Sequence, residues 1–153
     1  MSELEMIYRF LKEIVTKNTD ISSCYFDDID RKEENAMRIS PSESQVTNDR
    51  RLRDGTYIAR IAHVVINYNC VKNKKGLFDG IAKLEKLRDI FETTHNTTMY
   101  FKDGIISDSS DFTHYLNVGQ IDLLSGPVRL GKNEFEIPRY SIRLRINYIK
   151  GGN

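Results

Sequence analysis

The spacing of apolar residues along the chain predicts two amphipathic helices. Between residues 4 and 15 apolar side chains recur three and four positions apart, which places them along one side of a helix. Ser2 and Glu5 have the spacing of a capping box, in which a hydroxyl and a carboxylate satisfy backbone amides at the start of a helix. A second stripe predicts a helix over residues 76–95 and consists of Leu77, Ile81, Leu84, Leu87 and Phe91.

Two longer segments have the composition of β-strands. Residues 55–68 are rich in β-branched and aromatic side chains, and these occur at both odd and even positions. This pattern predicts a strand covered on both faces or one that crosses from the core to an interface. From Tyr140 to Tyr148 apolar and polar residues alternate, so the last strand has one apolar face. Its polar face carries Arg139, Arg143 and Arg145. Shorter strands are predicted at residues 21–26, 36–39, 98–101, 104–106, 121–128 and 134–137, with an edge or a bulge at Pro127.

These elements predict an α+β fold: a mixed or mainly antiparallel sheet packed by an N-terminal helix and one long amphipathic helix. A length of 153 residues with 39% hydrophobic content suits a single domain over residues 1–153. Residues 41–54 have almost no apolar content and contain Arg50, Arg51 and Arg53, which predicts a flexible loop. Loops of this length are commonly functional or disordered, so this one is either a solvated loop or a segment that orders on assembly.

Charge and cysteine content narrow the functional classes. The formal net charge is +1, which excludes the whole-molecule basic field common in nucleic-acid binders. The one asymmetry lies in residues 129–150, with six basic and two acidic residues. Cys24 and Cys70 are isolated in sequence, which fits a reducing cytoplasm and leaves a single disulfide open. The first residues lack the features of a secretory signal, and no apolar run approaches the ~20 residues of a membrane helix.

Residues that could support catalysis are scattered. His63, His95 and His114 are far apart, and the sequence has no phosphate-binding loop, nucleophile elbow or zinc-protease motif. We therefore expect no enzyme activity, no metal and no cofactor. Tyr140 and Tyr148 face away from the arginines of the last strand by parity, whereas a stacking platform for nucleic acid needs rings and charges on one surface. The arginine face is therefore expected to be solvated or to form an interface with acidic partners.

The order of the elements, together with two segments, resembles a known family. The segments are Asp122-Leu123-Leu124-Ser125-Gly126-Pro127 and the closing strand from Tyr140 to Tyr148. In this order the chain resembles, over nearly its whole length, the tail-terminator (tail-completion or minor capsid) proteins of long-tailed, non-contractile bacteriophages. It departs from the family pattern in the longer polar loop at residues 41–54 and in an inserted stretch at residues 108–117.

The resemblance implies a virion structural protein that forms a ring, typically a homohexamer, at the head-proximal end of the tail. Such a ring ends polymerisation of the tail-tube protein and offers a docking surface to a head-completion or connector protein. Assembly would take place in the host cytoplasm, and viral DNA would pass through the ring without sequence-specific binding. The residues expected at interfaces are Arg50, Arg51, Arg53, Arg139, Arg143 and Arg145.

Two alternatives remain at this point. One is another phage subunit, either a head-tail connector or a tail-tube protein, which would differ in binding the portal or in polymerising. The other is a small nucleic-acid-binding domain, whose affinity for DNA would fall with salt according to the number of phosphate contacts.

Overall fold

The computed structural model describes residues 1–42, 50–51, 58–72 and 74–152. The helices in this part of the chain are α1 (Glu3–Asn18) and α2 (Lys74–Thr93). The strands are β1 (Ser23–Phe26), β2 (Ala36–Pro41), β3 (Arg50–Arg51), β4 (Ile58–Asn69), β5 (His95–Lys102), β6 (Ile105–Ser107), β7 (His114–Lys132) and β8 (Pro138–Gly152). Neither described helix has the combination of length and apolar content needed to cross a membrane.

All of these strands belong to one sheet. Seven follow the order β1-β2-β4-β8-β7-β5-β6, and the two-residue β3 pairs with the start of β4. Among the described strands, β1 and β2 form the one parallel pair, and every other pair is antiparallel. The predicted α+β class and the mainly antiparallel sheet are therefore confirmed.

Helix α1 begins at the predicted cap. The amide of Glu5 donates to Ser2 Oγ over 3.1 Å, as the capping box requires. The carboxylate of Glu5 does not complete the box, because its Oε1 atom lies 3.1 Å from Arg9 Nη2, one turn further along the helix. Ile7, Leu11 and Val15 of the predicted stripe are buried, and so are Met6 and Phe10, which the spacing did not include.

The hydrophobic core lies between the two helices and one face of the sheet. In β4 the core side is formed by Ala62, Val64, Ile66 and Tyr68, each at most 3% exposed. On the other side of β4, residues 61, 63, 65 and 67 are only partly covered and Asn69 is buried. Of the two predicted alternatives, a strand covered on both faces is therefore wrong, and a strand that crosses from the core to an interface stays a prediction. The reason is that α1 and α2 both contribute to the same core and leave the second face of the sheet open. Strand β8 confirms the predicted alternation, with buried residues at every even position from Tyr140 to Tyr148.

Several predicted boundaries were wrong. Residues 134–137 form a turn instead of a strand, because Asn133 Oδ1 accepts from the amides of Phe135 (2.9 Å) and Ile137 (3.2 Å) and fixes the chain reversal locally. The strand predicted at residues 121–128 is part of the longer β7, which begins at His114 within the stretch 108–117 that departs from the family pattern. The predicted loop at residues 41–54 contains the end of β2 and the short strand β3, and residues 43–49 and 52–54 lie outside the described part of the chain.

The bulge predicted at Pro127 is confirmed. The register between β7 and β8 shifts between Ser125 and Val128, and the Gly126-Pro127 peptide bond is cis. Strand β5 pairs with β7 only as far as Gln120. Beyond that residue β7 is an edge of the sheet, with β8 as its one partner among the described strands.

Candidate interaction surface on the open face of the sheet

The face of the sheet that lies away from the helices collects arginines from separate strands. Register places Arg38 of β2 opposite Asn67 of β4, and Asn67 opposite Ser141 of β8. One step along, Arg139 lies opposite Asn69. Since directly opposed residues on one face are about 5 Å apart at Cβ, these side chains form one continuous surface.

Two loops meet above this part of the open face. Asn133 Nδ2 donates to the carbonyl of Arg31 over 2.7 Å, which joins the β7–β8 turn to the β1–β2 loop. Next to this bond, Arg31 Nη1 lies 2.9 Å from Glu134 Oε1. A backbone amide and the Arg31 guanidinium lower the pKa of Glu134, so its carboxylate is ionised at neutral pH. The two loops therefore form a polar rim above the strands.

Beneath and beside this rim are two adjoining concavities of about 320 Å³ and 540 Å³. Both are lined by Arg38, Asn67 and Leu130. Arg139 lines the first and Arg143 lines the second. We refer to the joined concavity lined by Arg38, Arg139 and Arg143 as the arginine cavity.

The guanidinium groups of the arginine cavity are incompletely satisfied. Arg38 Nε and Arg139 Nε are buried, and neither has a hydrogen-bond partner within the described part of the chain. Buried polar atoms are nearly always hydrogen-bonded, and leaving one unpaired costs about 1–3 kcal/mol. Four arginines line the cavity, three on its floor and Arg31 on its rim, whereas two carboxylates line it, those of Asp27 and Glu134. Its chemistry therefore favours an anionic group with several acceptor oxygens.

The residues predicted at interfaces fall into three groups. Arg139 and Arg143 line the arginine cavity. Arg145 does not join them, because its Nη2 atom lies 2.9 Å from Asp122 Oδ2 on β7. Arg50 and Arg51 form β3, which pairs with the start of β4, and the structure describes their backbone but not their side chains. Arg53 lies outside the described residues.

Sequence reasoning missed Arg38, which is central to the cavity. The signal was present, because Arg38 stands between Met37 and Ile39, two residues that are buried in the core. This alternation places Arg38 on the polar face of its strand. What the sequence could not supply is that β4 lies between β2 and β8, which brings Arg38 near Arg139.

A second concavity, of about 340 Å³, occupies the other end of the open face. Its aromatic wall consists of Tyr100, Phe112 and Tyr115, with ring centroids 4.8 Å apart for the first pair and 6.2 Å for the second. Asn117 Nδ2 donates to Thr98 Oγ1 over 2.8 Å along its floor. This concavity is lined without ionisable acids or bases apart from the two tyrosines.

Comparison with known proteins assigns no function to this surface. No protein-family model and no curated protein matches the chain. Within the described ranges, no three histidine, cysteine, aspartate or glutamate residues are grouped so that they could hold a metal ion. The open face of the sheet and the sequence resemblance are therefore the two features that point to a function.

Proposed function

We propose that the chain is a virion structural subunit that forms a ring at the head-proximal end of a bacteriophage tail. In this role it ends polymerisation of the tail-tube protein and provides the surface to which the head joins. The observation that carries the proposal is the arginine cavity on a sheet face that no described helix covers. The cavity brings the side chains of Arg38, Arg139 and Arg143 together on this uncovered face, and guanidinium groups bind an acidic group of another chain through charge-assisted hydrogen bonds.

The shape of the subunit supports assembly into a closed ring. Helices cover one face of the sheet, while the other face and two outer strands, β1 and β6, remain available for contacts. Exposed apolar side chains are concentrated on these outer parts, including Phe26 on β1, Ile105 on β6 and Leu130 on the free end of β7. A contact between two different surfaces of identical subunits produces rings when its rotation closes.

The position at the end of a tail follows from the sequence resemblance. The order of elements on which the resemblance depends is present: a capped helix, two short strands, a long central strand, one amphipathic helix and a closing strand. The Ser125-Gly126-Pro127 segment forms the bulge in β7 opposite that closing strand. A connector or tail-tube subunit is the nearest alternative, and it would differ in binding the portal or in polymerising along the tail.

One observation favours a second function, binding of single-stranded nucleic acid. The open face carries both arginines and the rings of Tyr100, Phe112 and Tyr115, a combination that can bind phosphates and stack bases. The two sets lie at opposite ends of the sheet, and Tyr140 and Tyr148 are at most 8% exposed on the core side. Salt-dependent binding of a labelled oligonucleotide, lost on Arg143→Glu, would favour this function over the ring.

The proposal is tested by assembling tail-tube protein from the same virus with and without the chain. Electron microscopy then measures tube length and the structure at tube ends. We expect tubes that are short and closed by a ring at one end when the chain is present, and long open tubes when it is absent. Tubes of unchanged length with bare ends would contradict the proposed function.

A further inference from the structure

Opposite charges lie on two separate parts of the sheet. The arginine cavity lies on β2, β4 and β8, whereas β6 forms the far edge of the strand order. Around β6 are three exposed aspartates, Asp103, Asp108 and Asp111. We refer to these three residues and the strand they flank as the acidic edge.

The acidic edge has a negative charge that its own neighbours only partly neutralise. Lys102 Nζ pairs with Asp111, which leaves Asp103 and Asp108 without an ion-pair partner among the residues described. Two hydrogen bonds from Ser110 lower the pKa of Asp108, so this carboxylate is ionised at neutral pH. The edge also exposes an apolar side chain, since Ile105 is 69% exposed.

The arginine cavity has the complementary properties. Its net charge is positive, and apolar side chains of β7 border it, with Leu130 at 46% and Val128 at 45% exposed. Each surface thus combines exposed aliphatic side chains with charged groups, and the net charges of the two surfaces have opposite signs. Opposite potentials across an interface speed association and fix its register.

A protein carboxylate fits the cavity better than a nucleic-acid backbone does. Asp27 and Glu134 line the cavity beside the arginines. A polynucleotide presents a phosphate at every residue, so binding one phosphate would bring its neighbours towards these carboxylates. The acidic edge presents a few carboxylates instead of one charge at every residue of a long chain, and an arginine can bind a carboxylate through two parallel hydrogen bonds.

We propose that the arginine cavity receives the acidic edge of a second copy of this chain. This rests on the proposed ring and names the two halves of its subunit junction. In a ring the junction is head-to-tail, because the arginine cavity of each subunit meets one neighbour and its acidic edge meets the other. A two-fold contact centred on either surface would place arginine against arginine or aspartate against aspartate. A two-fold dimer that joins the two surfaces reciprocally would differ from a ring in its mass.

The test uses two charge-reversed variants of the whole chain. One carries Asp103→Lys and Asp108→Lys, and the other carries Arg139→Glu and Arg143→Glu. The mass of each is measured by light scattering across a concentration series, alone and after mixing the two at equal concentration. Arg143→Glu alone provides a milder change at an exposed site, in case the double arginine variant fails to fold. Lys75→Glu with Lys86→Glu, both on the exposed side of α2, is the matched control.

We expect the wild type and the α2 control to form the ring. Each reversed variant should have a self-association constant at least about tenfold weaker, as close charge pairs at interfaces predict. Mixing the two variants restores the ring, because the lysine edge of one then faces the glutamate cavity of the other. Raising the salt from about 0.1 M to about 1 M shortens the screening length from ~10 Å to ~3 Å and weakens the wild-type contact.

The alternatives give different results. Rings that persist in both reversed variants would overturn the named junction and leave the proposed ring intact. A folded pair of variants that stays monomeric after mixing would also overturn the junction. Binding of a labelled oligonucleotide that is lost in the arginine variant while its assembly is unchanged would assign the cavity to nucleic acid. A wild type that is monomeric at every concentration, with and without the tube protein, would overturn both the junction and the ring.

Discussion

Replacement of Gly126 by alanine tests how the bulge in β7 is packed against β8. Gly126 has a φ of +110°, a conformation that residues with a Cβ atom rarely adopt. A Cβ atom at this position would lie 2.5 Å from the carbonyl oxygen of Ser141 and 3.0 Å from Ile142 Cα. Both are backbone atoms of β8, so neither can move aside without shifting the strand.

The expected cost has two parts. An L-residue at positive φ is destabilised by about 1–2 kcal/mol. Overpacking against backbone that cannot give way adds about 1–3 kcal/mol. The lower conformational entropy of unfolded alanine offsets about 0.4–1 kcal/mol. We therefore expect Gly126→Ala to lower the free energy of unfolding by about 1–5 kcal/mol, with the middle of each range giving about 3 kcal/mol.

Gly131 provides a matched control in the same strand. Its φ is +83°, but a Cβ atom there would meet nothing within 4 Å. Gly131→Ala should therefore cost only the conformational part, about 1 kcal/mol. The free energies of unfolding are measured by urea denaturation, and they are compared on the condition that the two variants have equal m-values. If the two variants lost the same stability within about 0.5 kcal/mol, close packing at Gly126 would not be the cause.

Three further changes test other parts of the account. Phe91→Ala should lower the free energy of unfolding by about 3–5 kcal/mol, because Phe91 is fully buried. Phe78→Ala on the same helix, at a side chain that is 60% exposed, should change it by less than about 0.5 kcal/mol. The urea midpoints of the two variants measure this difference. Burial raises the pKa of Cys24 and of Cys70 to about 11 from an ordinary 9.0, so stability that is fully present below pH 9 should be lost as the pH rises towards 11. Urea midpoints from pH 8 to 11 should fall less steeply after Cys24→Ala with Cys70→Ala, and an unchanged slope would contradict the burial of these thiols. Asp122→Asn, which weakens the partly exposed pair with Arg145, should cost at most about 1 kcal/mol and cost less in high salt, and a larger loss would show that Arg145 is held by more than this pair.

The helices and the closing strand could be predicted because their patterns are local. The capped start of α1 needs only Ser2 and the three- and four-residue spacing that follows it. The face of β8 that enters the core is fixed by strict alternation, since a slip of one residue would move every apolar side chain to the solvent side. These signals lie within one element and depend little on its neighbours.

The remaining features depend on contacts between distant segments. In β4, apolar residues at both odd and even positions predicted either two covered faces or a strand that crosses from the core to an interface. Only the packing of both helices on one side decided which set of residues is buried. The separation of Arg145 from Arg143 follows from Asp122, which pairing of β7 with β8 places opposite Arg145. The turn at Asn133 was missed because the bonds of its side chain to Phe135 and Ile137 compete with strand pairing, an effect that hydrophobic pattern does not record.

The mass of the purified protein, measured by light scattering alone and with tail-tube protein, tests the central claim most directly. The proposed function predicts a closed ring with the mass of a fixed small number of subunits, typically six, either in free solution or on the end of the tube. A ring in both conditions, or one that forms on the tube and stops its growth, would support the claim. A monomer that neither assembles nor binds the tube at any concentration would contradict it.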